Sequence, residues 1–148
     1  RTEMQEVKIG TGRKLKDGKD IAILSFGHVG NFAAAAIRDV KAEGINPAHY
    51  DMRFVKPLDE EMLHEVFSKY NKVITIEDGT VVGGFGSAIL EFMNEHGYKA
   101  DVKIMGIPDR LVEHGTPKQL YDEIGIDANG IADMLRVLSK INVAELIK

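Results

Sequence analysis

Residues 74–92 read ITIEDGTVVGGFGSAILEF, and the order of features in this stretch decides the fold. An apolar, β-like segment runs into a turn holding Gly79, Gly83, Gly84 and Gly86. Ile89, Leu90 and Met93 then recur at helical spacing as far as Gly97. A strand, a glycine turn and a helix N-terminus together make an anion site, because free backbone N–H groups and the positive end of the helix dipole point at the same place. The spacing argues against a nucleotide. Gly79 and Gly84 have the separation of a P-loop, but Phe85 and Gly86 stand where Lys and Ser/Thr are needed. Gly84-Phe85-Gly86 opens a dinucleotide fingerprint, yet Ile89 fills the third position, which calls for a tiny side chain. The glycines are therefore expected to serve a tight turn and close backbone packing.

On the N-terminal side the same grammar repeats. Asp20–Phe26, DIAILSF, is the continuous apolar run of a strand buried on both faces. After Gly27, residues Val29, Phe32, Ala33, Ala36, Ile37 and Val40 form a helical stripe that Gly44 stops. Tyr50–Val55 reads as the next strand. Asp59 is placed to cap a helix with Glu60 and Glu61 in its first turn and Met62, Leu63, Val66, Phe67 and Tyr70 as its apolar stripe. Lys72–Ile76 and Val102–Ile107 are further strands. Thr116-Pro117-Lys118-Gln119 signals a helix start, and a last helix from near Asp127 carries Ile131, Met134, Leu135, Leu138 and Ile141. Ser87 reads as a helix N-cap. Residues 1–19 form an extended lead-in, and residues 20–148 an α/β domain.

Strands alternating with helices predict right-handed crossovers and a largely parallel sheet covered on both faces. The expected fold is a three-layer α/β/α sandwich on a mostly parallel five-stranded sheet, with room for one antiparallel strand at an edge.

The 148 residues, 44% hydrophobic and 28% charged, suit one domain with a sizeable core. A net charge of −4, with both signs interspersed, gives no basic footprint, so neither nucleic acid nor an anionic membrane is an expected partner. The absence of cysteine excludes disulfides, thiolate zinc sites and cysteine nucleophiles, and fits a cytoplasmic location. No apolar run approaches the ~20 residues of a membrane span. The chain starts at Arg1 without an initiator methionine, and a longer parent protein is expected.

Motifs for chemistry are sparse. His28, His49, His64, His96 and His114 form no close metal-binding pair, and no G-x-S-x-G elbow occurs. Glu77-Asp78 lies at the C-terminal end of a strand, where open α/β sheets place their sites. Arg53 and Lys56 come from the neighbouring crossover. A charge network among these four is expected, either as a structural tie between loops or as a contact at an interface rim.

Three segments carry a resemblance. DMRFVKPLD (51–59), EDGTVVGGFGSA (77–88) and GIPDRLVEHGT (106–116), followed by YDEIGID, resemble in order the C-terminal domain of the 1-deoxy-D-xylulose-5-phosphate synthase family, over roughly residues 10–140. The wider transketolase superfamily keeps an R-x-x-x-P-x-D element and an acidic pair leading to G-G-x-G, matched by Arg53, Pro57, Asp59, Glu77, Gly83, Gly84 and Gly86. Gly106, Ile107, Pro108, Asp109, His114, Gly115 and Thr116 favour the synthase. Asp78 stands where the family usually has a second glutamate, and the Gly27–Asn31 segment departs from the family's Gly-Thr start.

The resemblance implies a parent enzyme that uses thiamine diphosphate and magnesium to decarboxylate pyruvate and join the two-carbon unit to glyceraldehyde 3-phosphate, for isoprenoid, thiamine and pyridoxal synthesis. It implies that the cofactor and metal sites lie in preceding domains, since no G-D-G element occurs here. It assigns no catalytic, cofactor or metal residue to this chain. Its implied partners are those preceding domains and a second subunit in a homodimer. Arg53, Lys56, Glu77, Asp78, Gly83, Gly84, Gly86, Asp109 and His114 are the residues expected at the domain interface or its structural rim. Two alternatives are a domain of another thiamine enzyme (a transketolase or a 2-oxo acid dehydrogenase E1 β subunit) and a stand-alone nucleotide- or effector-binding module.

Overall fold

The computed structural model describes residues 9–27, 29–53, 57–77, 84–106 and 127–140. Five strands, β1 (Arg13–Lys16), β2 (Ile21–Phe26), β3 (Ala48–Asp51), β4 (Lys72–Glu77) and β5 (Asp101–Gly106), form one sheet in the order β1-β3-β2-β4-β5. All neighbours are parallel except β1, the edge strand that pairs antiparallel with β3. The antiparallel strand is thus the charged RKLK segment, whose lysines and arginine suit an edge that must not recruit further strands.

Among the described residues four α-helices cover the sheet. They are α1 (Gly30–Val40, continued by a 3₁₀ turn at Lys41–Glu43), α2 (Glu60–Lys69), α3 (Phe85–Glu95) and α4 (Ala128–Ser139). Side chains of a strand alternate between faces, and the two cores divide accordingly. Ile21 and Ile23 of β2 and Ile74 and Ile76 of β4 pack with α1 and α4. Ala22, Leu24 and Val73 pack with α2 and α3 on the other face. The doubly apolar reading of β2 is therefore met by helices on both sides.

Local signals explain the helix ends. Asp59 Oδ1 accepts the Met62 N–H at 3.0 Å, so the cap expected there forms, and Asp127 Oδ1 accepts the Gly130 N–H at 2.8 Å and caps the last helix. Asp59 also accepts the Gly12 N–H through Oδ2 at 2.8 Å, which ties the lead-in strand to the start of α2. Gly44 ends the 3₁₀ turn with φ 81°, a conformation in which a side chain would be strained.

Two expectations need correction. β3 starts at Ala48 and ends at Asp51, where the apolar pattern places it at Tyr50–Val55; His49 looks polar in sequence but is buried, at 2% exposure. Phe54 and Val55 lie outside the described residues. Ser87 is not a cap, because Gly84 holds the N-cap position and Ser87 is the third residue of α3. The Thr116 helix start and Ile141 also lie outside the described residues.

Candidate functional site

After β2 the chain moves through α1 to one side of the sheet, and after β4 it moves through α3 to the other. The carboxyl ends of β2 and β4 therefore border the point where the winding reverses, which is the usual ligand crevice of open α/β sheets. Phe26 and Glu77 are paired in register there. Phe26 stacks on Phe85 of α3 with ring centroids 5.6 Å apart.

The crevice is occupied by the protein's own carboxylate. Glu77 is 3% exposed. Its Oε2 accepts the Phe85 N–H at 2.9 Å and its Oε1 accepts the Gly86 N–H at 3.0 Å. These are the first two N–H groups of α3, which would otherwise have no partner. A buried anion bonded to two of them, at the positive end of the dipole, supplies from within what a bound phosphate would supply from outside. A second negative group at this place would meet Glu77 at close range, so the described residues here do not fit a pyrophosphate. Among the described residues no group of three or more metal-binding side chains comes together.

Gly86 explains the tight turn. A Cβ built on it would lie 2.7 Å from Ile104 Cγ2 and 3.0 Å from Thr75 Oγ1. The first turn of α3 therefore presses directly on β4 and β5, and this brings its N–H groups to Glu77. Thr75 Oγ1, beneath this contact, is buried with no hydrogen-bond partner.

The sequence reading puts Glu77 and Gly86 at a domain interface or its structural rim; in the structure both are buried within the domain. Gly84 has φ −96°, a value open to any residue. Arg53 follows β3 with φ 56°, and its N–H donates to Asp51 Oδ1 at 3.2 Å. Among the described residues Arg53 makes no ion pair with Glu77, whose oxygens are both engaged by α3. Arg53 is thus the described residue of that network left near the carboxyl edge, in a left-handed conformation that is uncommon outside glycine. Lys56, Asp78, Gly83, Asp109 and His114 lie outside the described residues.

One polar pair escaped the sequence reading. His49 Nε2 lies 2.8 Å from Ser25 Oγ, across the β2–β3 junction. The distance would suit a nucleophile and its base, but Ser25 and His49 are 1% and 2% exposed. Burial pushes the imidazole down to about 4, so it is neutral near pH 7. The pair is buried, and its role is to satisfy two polar groups inside the core. The signal in sequence is a single polar residue inside each of two buried strands.

Comparison with known proteins agrees with this fold. The family described as "Transketolase, C-terminal domain" matches residues 10–131. The chain is 54% identical over 141 residues to a 1-deoxy-D-xylulose-5-phosphate synthase of Cytophaga hutchinsonii, covering 95% of this chain and 22% of that protein. It is 54% identical to the enzyme of the same name from Parabacteroides distasonis, with 92% and 22% covered. For that of Geobacillus thermodenitrificans the identity is 42%, again with 92% and 22% covered. The chain thus spans about a fifth of the length of the curated relatives it matches. Among solved structures, a split-gene transketolase described as an inactive β4 tetramer superimposes with a TM-score of 0.82 at 32% identity, over 90% of this chain and 44% of that one.

Proposed function

We propose that this chain, which belongs to the transketolase C-terminal domain family, is the C-terminal part of a 1-deoxy-D-xylulose-5-phosphate synthase and performs no chemistry by itself. The parent enzyme would condense pyruvate with glyceraldehyde 3-phosphate, with loss of carbon dioxide, in the cytoplasm. Thiamine diphosphate and magnesium would supply the carbanion chemistry from sites in other domains. This domain would pack against those domains and help to order a homodimer. Arg53, Lys56, Asp78, Gly83, Gly84, Asp109 and His114 remain the proposed rim of that contact.

The observation that carries the reading is the 54% identity to the Cytophaga synthase across 95% of the chain. It exceeds the 32% to the transketolase chain, which favours the synthase over other thiamine enzymes. Glu77 supports an organising role, since its carboxylate fills the anion position at α3 that a nucleotide-binding module would need free.

The test compares the protein expressed from the complete gene with the 148-residue chain, each supplied with both substrates, thiamine diphosphate and magnesium. Product is expected from the complete protein and none from the chain alone. A complete protein that is folded, loaded with cofactor and inactive on this pair of substrates would overturn the reading, as would turnover by the chain alone.

A further inference from the structure

At the opposite end of the sheet from Glu77, a second feature stands apart from the function proposed above. The register of β1 on β3 runs from Lys14 opposite Tyr50 to Lys16 opposite His49, so two residues of β1 advance against one of β3. Leu15 is the extra residue of a β-bulge. Bulges re-aim side chains at sheet edges, and this one brings both Leu15 and Lys16 to the cleft between the edge strand and α1. That cleft has a volume of about 370 Å³, within the range of small-molecule sites.

Its lining joins two chemistries, apolar and cationic, beside the neutral polar side chains of Asn46 and His49. Leu15, Ala34, Ile37 and Ile45 supply an apolar floor, and Leu15 is 45% exposed. Lys16, Arg38 and Lys41 supply positive charge, and no carboxylate lines the cleft. Lys16 Nζ donates to the neutral oxygens of Asp17 (backbone), Asn46 and Pro47. Among the described residues Arg38 and Lys41 make no ion pair, and the side chain of the nearby Asp17 is engaged by Lys14 at 3.0 Å. The negative end of α1 answers about half a unit of this charge, and Asp17 offsets part of that on Lys16, so the balance of the cleft stays positive. Burial and, after it, the neighbouring Lys41 charge push the Lys16 ammonium down against the opposing pull of Asp17.

We propose that this cleft binds a small amphipathic anion, with an unbranched apolar tail on Leu15, Ala34, Ile37 and Ile45 and a terminal phosphate or carboxylate between Arg38 and Lys41. The tail would cover the exposed leucine and the head group would neutralise the cations. Neither part alone accounts for both halves of the lining.

The test is calorimetric titration of the 148-residue chain with hexyl phosphate, heptanoate, inorganic phosphate and hexanol. Saturable binding of hexyl phosphate or heptanoate is expected, the tighter of the two identifying the preferred head group. Inorganic phosphate and hexanol should each bind at least about tenfold more weakly, the effect of roughly two buried methylenes for the former. Arg38→Gln with Lys41→Gln changes two exposed side chains and should weaken the amphipathic anion by about tenfold or more at an unchanged thermal midpoint. Leu15→Ser should weaken hexyl phosphate and leave inorganic phosphate unaffected. No saturable binding of either amphipathic anion overturns the proposal. Equal affinity for inorganic phosphate also overturns it, because an exposed cation patch then accounts for everything, as does an unchanged affinity in the charge variant.

Discussion

Replacing Glu77 by Gln keeps the size of the side chain and removes one acceptor and one charge. In the parent chain each carboxylate oxygen holds one N–H of α3, at 2.9 and 3.0 Å, in a site 3% exposed. Glutamine has a single acceptor oxygen, and its amide nitrogen is a donor that would face whichever N–H the oxygen does not reach. A hydrogen bond to a charged group contributes about 1.5–3 kcal/mol, and a buried donor left without an acceptor costs about 1–3 kcal/mol. The two figures partly count the same loss, so Glu77→Gln should destabilise the chain by about 3 kcal/mol, a large share of the ~5–15 kcal/mol of a typical domain. Urea unfolding followed by far-ultraviolet circular dichroism should show a lower midpoint with the slope unchanged. A loss below about 1 kcal/mol would refute the view that this carboxylate anchors α3. Glu77→Ala adds a check of mechanism, because it empties the anion position. Phosphate should then raise its midpoint by more than it raises the parent's, the parent measuring the general effect of the salt.

Three further outcomes follow from the same region and its neighbours. His49, lowered by burial to about 4 from an ordinary 6.5, binds a proton more readily when unfolded. Its contribution is complete above pH 6.5 and is lost as pH falls towards 4, by about 3 kcal/mol in all; unfolding free energies across that interval should slope in the parent and flatten in His49→Gln. Gly86→Ala places a methyl 2.7 Å from Ile104 Cγ2 and should cost about 1–3 kcal/mol, partly restored by Ile104→Ala; full parental stability of the single variant by urea titration would contradict the close approach. Thr75→Val removes a buried hydroxyl that has no partner and should raise stability by about 1 kcal/mol, read as a higher thermal midpoint.

The residues explain why the fold was largely legible before the structure. Ile21 to Leu24 of β2, and Val73, Ile74 and Ile76 of β4, are apolar on both strand faces because helices cover both, and the continuous apolar run of β2 is the trace such burial leaves in a sequence. Helix boundaries at Asp59, Gly44 and Asp127 follow from caps that act within a few residues, so local reading suffices for them. The start of β3 could not be read in this way. His49 is buried at the cost of its charge and is satisfied by Ser25, a residue 24 positions earlier, and no local pattern announces such a partner.

The site was hidden for a related reason, and the form of the error is instructive. Glu77 and Asp78 look alike as a surface acidic pair, and cations at Arg53 and Lys56 make an ion-pair network the natural expectation. What decides the role of Glu77 is backbone geometry. Gly86 lets α3 approach Thr75 and Ile104, the approach aims the N–H groups of Phe85 and Gly86 at the end of β4, and these two backbone donors, which lose no rotamer freedom, take the carboxylate in place of a side-chain cation. The glycine turn and the acid are therefore one device. The sequence reading kept the glycines for a tight turn and set the anion site aside, whereas the strand, turn and helix do build an anion position, filled by the chain's own Glu77 carboxylate rather than by a phosphate.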